Sequence, residues 1–178
     1  GTGLALQIGH RKSIDFDFFT PKKINNLLKK LENMFSEEKL EVIINQKDQL
    51  TVTINQVKIS YINYPFPVFD KFIKWKGLKI ITPKIIAAMK AYTIGRRATF
   101  KDYVDLYYLI KSDITTLKEI IKNAQNIYGS SFNDRLFLEQ LVYLKDISEQ
   151  KIKFIKEPVN KKEIRSFFEN RIENYSLQ

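Results

Sequence analysis

Apolar and polar positions alternate with a period of two in short stretches of the first eighty residues, and recur at helical spacing through most of the rest. Residues 2–8 are small and apolar and predict a short helix, ended by Gly9, that offers Leu4, Leu6 and Ile8 to a core. Residues 13–19 predict a strand. Its alternation turns Ile14, Phe16 and Phe18 inward and sets Asp15 and Asp17 on the opposite face. Thr20-Pro21 has the form of a helix cap followed by a first-turn proline. Ile24, Leu27, Leu28, Leu31, Met34 and Phe35 then follow at helical spacing. Three strand-like runs come next, 40–45, 50–54 and 57–62, with turns expected at Lys47-Asp48 and Asn55-Gln56. In the third run Lys58, Ser60 and Ile62 share one face, and Val57, Ile59 and Tyr61 the other. Prolines 65 and 67 break the pattern, and 69–81 predicts one or two more short strands turning at Gly77.

Thr82-Pro83 repeats the cap-plus-proline signal and predicts a helix over 84–94, stopped at Gly95. Thr99 with Asp102 three residues on forms a capping box, opening a helix to about Lys111. Further helices are expected over 115–128, 133–144 and 161–174, separated by Gly129-Ser130-Ser131 and Glu157-Pro158. The fold class is α+β: a small mixed sheet with flanking helices over 1–81, then a helical portion over 82–178, with the boundary near Thr82.

Composition narrows the picture. There is no cysteine, which removes disulfide and thiolate chemistry and fits a reducing cytoplasm. No apolar run is long enough to span a bilayer, and no signal-like segment opens the chain. The net charge of +10 favours polyanionic partners, RNA among them, by steering and counterion release. Part of that charge is clustered at Lys71, Lys74, Lys76 and Lys79, and at Lys151, Lys153 and Lys156. Each cluster is equally readable as a solvated face.

Two constellations carry candidate chemistry. In the first, Asp15 and Asp17 repel one another on one strand face unless a cation lies between them. Two hard carboxylates on a rigid element suit Mg²⁺ (or Mn²⁺), which takes one or two carboxylates together with substrate phosphates. The small Gly1-Thr2 pair upstream lets the backbone approach a phosphate. In the second, Lys90 lies on a mostly apolar helix, Arg97 follows in the expected loop, and Lys101, Asp102 and Asp105 crowd the next helix start. The cations Lys90 and Arg97 suit the neutralisation of triphosphate charge. A purely structural reading has Asp102 as a cap and Asp105 pairing with Arg97 or Lys101. His10, the single histidine, orders the turn before the strand rather than acting as a base.

With both constellations in view, the chain resembles the AbiEii/AbiGii toxin family within the DNA polymerase β-like nucleotidyltransferase superfamily. The first block follows G-T-x-L-A-L-x-x-G-H-R-x-S-x-D-x-D-F-F at Gly1, Thr2, Leu4, Ala5, Leu6, Gly9, His10, Arg11, Ser13, Asp15, Asp17, Phe18 and Phe19. The second follows K-x-x-A-x-x-x-R at Lys90 and Arg97, with Thr93 at the alanine position, and K-D-x-x-D-L at Lys101, Asp102, Asp105 and Leu106. The resemblance implies a nucleotidyltransferase-like fold and an NTP substrate. Asp15 and Asp17 would be metal ligands, with Gly1 and Thr2 (beside Arg11 and Ser13) at the nucleotide phosphates. Lys90 and Asp102 would be functional positions, with Arg97 and Lys101 on the nucleotide. It also implies a cognate antitoxin, a bacterial cytoplasmic setting and a role in abortive infection of phage; it leaves the acceptor open, and the net charge of +10 favours RNA, tRNA included.

The chain departs from the pattern twice: it lacks the helix and further glycine that usually precede Gly-Thr, and it has Ser60 where a third carboxylate is common on the neighbouring strand. Those departures motivate a second reading, a non-catalytic nucleic-acid- or partner-binding module on a decayed nucleotidyltransferase fold. A haloacid-dehalogenase-type phosphatase also carries D-x-D on a strand. It requires Thr or Val two residues after the second aspartate, where this chain has Phe19.

Overall fold

The structure is a computed structural model that describes residues 1–68 and 72–176. The chain divides into two compact units, one of residues 1–2 and 13–66, the other of residues 3–12 and 67–178. The seam after the sheet therefore falls at 66–67, beside the Pro65 and Pro67 break, rather than near Thr82. Residues 3–12 join the helical unit although they precede the sheet in sequence.

The first unit holds a mixed four-stranded sheet. Strands β1 (Phe16–Thr20), β2 (Leu40–Gln46), β3 (Gln49–Ile54) and β4 (Val57–Asn63) lie in the order β1-β4-β3-β2, with helix α2 (Leu27–Met34) between β1 and β2 in sequence. β1 runs parallel to β4, and the other pairs are antiparallel. The predicted turns at Lys47-Asp48 and Asn55-Gln56 join β2 to β3 and β3 to β4; Asn55 and Gln56 take positive φ, 49° and 68°. Leu50, Val52 and Ile54 alternate onto one face of β3 and pack with Leu31 of α2; Ile59 and Tyr61 of β4 pack against the same cluster. The face assignment read from the alternation of β4 therefore holds.

Three expectations fail in this unit. The strand begins at Phe16 rather than residue 13, so Asp15 lies just ahead of it and Asp17 within it. Of the residues expected inward, Phe18 stacks on Tyr61 at 5.2 Å, but Ile14 and Phe16 remain 68% and 40% exposed. β1 is an edge strand and α2 covers the centre of the sheet, so the start of β1 has little to bury against. Thr20-Pro21 does not open a helix. Thr20 is the last residue of β1, paired with Asn63, and its hydroxyl accepts from the Lys22 amide at 3.1 Å to close a short turn. α2 starts at Leu27 after Asn26, which takes the left-handed backbone (φ 56°) that asparagine tolerates.

The second unit begins with α1 (Thr2–Ile8), whose Leu4 and Ala5 are buried. Leu6, expected in the core, is 56% exposed, because helical spacing puts it a half-turn away from Leu4 and Ile8. A two-stranded ribbon, β5 (Phe72–Trp75) and β6 (Leu78–Ile81), turns at Lys76-Gly77 as the sequence predicts. Residues 69–71, including Lys71, lie outside the described residues. Helices α3 (Pro83–Arg97), α4 (Phe100–Lys111), α5 (Leu117–Tyr128), α6 (Asp134–Val142) and α7 (Lys161–Ser176) follow, with a short 3₁₀ turn at Gly129–Ser131. α3 packs on α4, α5 and α6, and α7 packs on the same three. Their core includes Tyr103, Leu106, Leu109, Ile120, Phe137, Ile164 and Phe168. α3 does not stop at Gly95. It runs through to Arg97, since a helix locked by packing on three neighbours tolerates one glycine. Arg97, expected in a loop, is therefore in the last turn of α3 and exposed.

Candidate active site

In the sheet unit the entry to β1 gathers three of the predicted residues, Thr2, Ser13 and Asp15, at one hydroxyl. Thr2 Oγ1 lies 2.7 Å from Ser13 Oγ and donates to the main-chain carbonyl of Asp15. A hydroxyl has one proton, so with that proton on the Asp15 carbonyl, Thr2 accepts from Ser13. Gly1 lies beside the second aspartate: a Cβ built on it would stand 3.9 Å from Asp17 Oδ2. Gly1, Thr2, Ser13, Asp15 and Asp17 thus belong to one local arrangement. Asp17 is exposed and Asp15 half-buried, and among the described residues neither forms an ion pair with a protein cation.

The strand beside them supplies no third acid. Asp17 is in register with Ser60 of β4, and Ser60 with Thr51 of β3. In register means on the same face, so the aspartate continues a polar row in which Gln49 Nε2 donates to Thr51 Oγ1 (3.0 Å) and Thr51 Oγ1 donates to Ser60 Oγ (3.3 Å). Among the described residues no group of three or more His, Cys, Asp or Glu could hold a metal. Two carboxylates without a third fit Mg²⁺, whose remaining positions go to water and phosphate; they do not fit an all-protein cage.

The helical unit contains a second arrangement of opposite character, centred on Asp105. Its Oδ1 accepts from Arg11 Nε and His10 Nε2, both at 2.7 Å, and its Oδ2 accepts from Arg11 Nη2 at 3.0 Å. The Arg11 contact is a bidentate fork, the geometry guanidinium and carboxylate favour. Lys90 Nζ stands 2.7 Å from Asp105 Oδ2 and 2.7 Å from Asp102 Oδ1. The other oxygen of Asp102 accepts from the Thr99 amide (2.9 Å) and hydroxyl (2.8 Å), so one carboxylate both caps α4 and pairs with Lys90. Asp105, His10 and Arg11 are essentially without solvent, and Lys90 is 8% exposed.

Burial by itself would push Asp105 towards the neutral acid. The Lys90 charge, with hydrogen bonds from His10 and Arg11, outweighs it and holds the carboxyl well below its ordinary range. Burial also pushes Asp102 up, but Lys90 and the bonds from Thr99 leave it lowered. Lys90 is pulled down by burial and raised further by its two carboxylates, with a net upward shift.

The family resemblance implies Arg11 and Lys90 at the nucleotide; in the structure both are held by buried carboxylates. Asp105, expected to pair with Arg97 or Lys101, instead takes Arg11, His10 and Lys90, while Arg97 is exposed and Lys101 half-buried in the first turn of α4. His10 does order the turn before the sheet, and does so through Asp105. Asp105 is the hub that sequence reasoning leaves out of the site. Its one available signal is an aspartate flanked by Tyr103, Val104, Leu106 and Tyr107, where a charge can be buried only against a partner.

A model of the nucleotidyl transferase AbiEii toxins of type IV toxin–antitoxin systems matches residues 1–177. The chain belongs to that family. It is 31% identical over 178 residues to aq_aa25, an uncharacterised protein of Aquifex aeolicus, covering 98% of this chain and 85% of the relative. Two crystal structures from Helicobacter pylori share the fold. One is an inferred nucleotidyltransferase (TM-score 0.58, 17% identity, 100% of this chain and 87% of that one), the other JHP933 (TM-score 0.53, 16% identity, 99% and 86%). The α+β nucleotidyltransferase fold expected from the sequence is therefore the fold observed, and the AbiEii protein is a nucleotidyltransferase toxin by family. No helix among the described residues is long and apolar enough to cross a membrane.

Proposed function

We propose that this AbiEii protein transfers a nucleotide from an NTP to an RNA acceptor, tRNA included, in a reaction that requires Mg²⁺ or Mn²⁺, as the toxin of a toxin–antitoxin pair in the bacterial cytoplasm. The observation that carries the reading is the pair Asp15 and Asp17, placed with Gly1, Thr2 and Ser13 and in no ion pair among the described residues. Bound there, a divalent ion would supply charge neutralisation at the triphosphate. Asp15 and Asp17 hold that ion. Thr2 and Ser13 fix the chain leading into β1, so the two carboxylates keep a constant spacing, and the Gly1 backbone lies next to Asp17, where a side chain would crowd a phosphate.

Lys90 and Asp102 take the second functional role that the resemblance implies. An ammonium has three hydrogens, and two carboxylates engage Lys90. The third is the one with which it would meet a phosphate oxygen. Arg97 and Lys101 are the less encumbered cations assigned to the nucleotide, and Arg11 acts by positioning. The net charge of +10 supports a polyanionic acceptor. Abortive infection of phage is the biological setting the family suggests.

The test is transfer of label from each α-labelled NTP to total bacterial RNA with Mg²⁺. Label on a discrete RNA is expected, and it should vanish in Asp15→Ala/Asp17→Ala and on chelation of the metal. Transfer that survives the double substitution overturns the assignment. The row Asp17–Ser60–Thr51, with no third acid, favours the second reading of a non-catalytic binding module. That reading requires RNA binding independent of the two aspartates and no label with any NTP.

A further inference from the structure

The β5–β6 ribbon has a composition that its own fold does not need. Its register pairs Phe72 with Ile81, Ile73 with Ile80, Lys74 with Lys79 and Trp75 with Leu78. Lys74 and Lys79 are thus directly opposite on one side, an arrangement in which like charges destabilise a strand pair. On the other side Ile73 (43%), Trp75 (46%) and Leu78 (45%) form an exposed apolar surface, although a two-stranded ribbon without cover is marginal in water. Lys76 at the turn holds its ammonium 5.2 Å from the centre of the indole ring, and Lys79 lies 5.7 Å from that of Phe72. No carboxylate occurs within 72–81, and no ion pair among the described residues reaches Lys74, Lys76 or Lys79.

Each oddity has the same remedy. An exposed indole is a stacking platform for an unpaired base, the Lys76 ammonium beside it suits a phosphate next to that base, and the unopposed lysines on the other face suit further phosphates of a strand that passes round the thin ribbon. We propose that the β5–β6 ribbon is an RNA-docking element that stacks an unpaired base on Trp75, with Lys76 at the turn on the phosphate beside that base and Lys74 and Lys79, on the opposite face, on phosphates of the same strand where it passes round the ribbon. A second copy of this chain does not fit, because it would oppose lysines with lysines on a protein of net charge +10. A duplex does not fit either, since its bases are already stacked. The assignment deepens the RNA-acceptor reading and rests on it for the nature of the ligand.

Trp75 is the only tryptophan in the chain, so its emission reports this site directly. Titrating the full chain with a short oligouridylate at low salt should quench Trp75 saturably, with duplex DNA of equal length much weaker. With fluorescently labelled oligouridylate followed by anisotropy, Trp75→Ala should weaken binding about tenfold or more. Lys74→Gln/Lys79→Gln should lower the salt dependence of log affinity by about 1.4, two phosphate contacts at roughly 0.7 each. That double variant relieves the like-charge pair, so its thermal midpoint should equal or exceed that of the parent, and lost binding cannot be ascribed to misfolding. Binding of the labelled RNA with Trp75 emission unchanged overturns the proposal. So does equal quenching by duplex DNA, and so does a blue shift with anionic phospholipid vesicles that RNA does not produce. The two readings fail separately. Label transfer to RNA without a Trp75 response leaves the transferase and removes the ribbon. Quenching that persists in Asp15→Asn/Asp17→Asn, with no transfer by the parent, leaves the ribbon and removes the transferase.

Discussion

Two pairs of aspartates, on short spacings and in segments of similar composition, have opposite fates. Among the described residues Asp15 and Asp17 form no ion pair, and they lie with a hydroxyl, a glycine and the polar row of β4 and β3. Asp102 and Asp105 are met by Lys90, Arg11, His10 and Thr99, and Asp105 has no solvent exposure. A carboxylate offers a metal or substrate only what the fold has not already claimed. The first pair keeps its charge available, and the second has nearly all of its charge neutralised inside the protein. The second pair is therefore chiefly a device for holding the 10–11 turn, the first half of α4 and the middle of α3 in one geometry, with Lys90 held at its edge.

The comparison can be broken most sharply by neutralising each pair. Asp15→Asn/Asp17→Asn should lower nucleotidyl transfer by about a thousandfold or more, since several kcal/mol of charge stabilisation go with the metal. The urea midpoint should stay within about 0.5 kcal/mol of the parent, as for surface changes. A large loss of stability would show that these aspartates belong to the structural class after all.

Asp105→Asn should do the reverse. It leaves Arg11 buried without its counter-ion and Lys90 with Asp102 alone, at a cost of about 3–5 kcal/mol in urea or thermal unfolding. A cost under about 1 kcal/mol would mean the cluster is not the buried hub described here.

The pH dependence should divide the pairs in the same way. Asp105 and Asp102 are held below their ordinary value of 3.8, so the stability they contribute is present above about pH 4 and is lost as pH falls through their lower, folded values. Lys90 is raised above 10.5, so its contribution is present below that pH and is lost as pH rises through its folded value. Unfolding free energy should therefore be flat across neutral pH and decline on both flanks, and Asp105→Asn should flatten the acid flank. An acid flank unchanged in Asp105→Asn would assign acid sensitivity to other groups.

The smallest effect belongs to Thr2. Thr2→Val removes its bonds to Ser13 and the Asp15 carbonyl, worth about 1 kcal/mol. Because that hydroxyl steadies the residues leading into β1, the KM for NTP should rise several-fold, while Thr2→Ser restores it. A Val variant with unchanged KM would free the aspartates from this support.

Much of this architecture is legible in the order of the residues alone. The hairpin strands and their turns, Ser60 in place of a third acid and the cap of α4 are set by period-two alternation and nearest-neighbour chemistry, which act over a few residues. The expectations that fail are those that depend on distant packing. Thr20-Pro21 opens no helix because Thr20 is held by Asn63 of β4, and Ile14 and Phe16 stay exposed because β1 falls at the sheet edge. Gly95 stops nothing, because α3 is held by three other helices.

By itself, then, the sequence determined most of the elements and the family, since each is written in contiguous residues. Only the tertiary structure decided which charges are available for chemistry. Asp105 meets His10 and Arg11 across more than ninety residues of chain, and whether a carboxylate is open or neutralised depends on where the fold brings its partners.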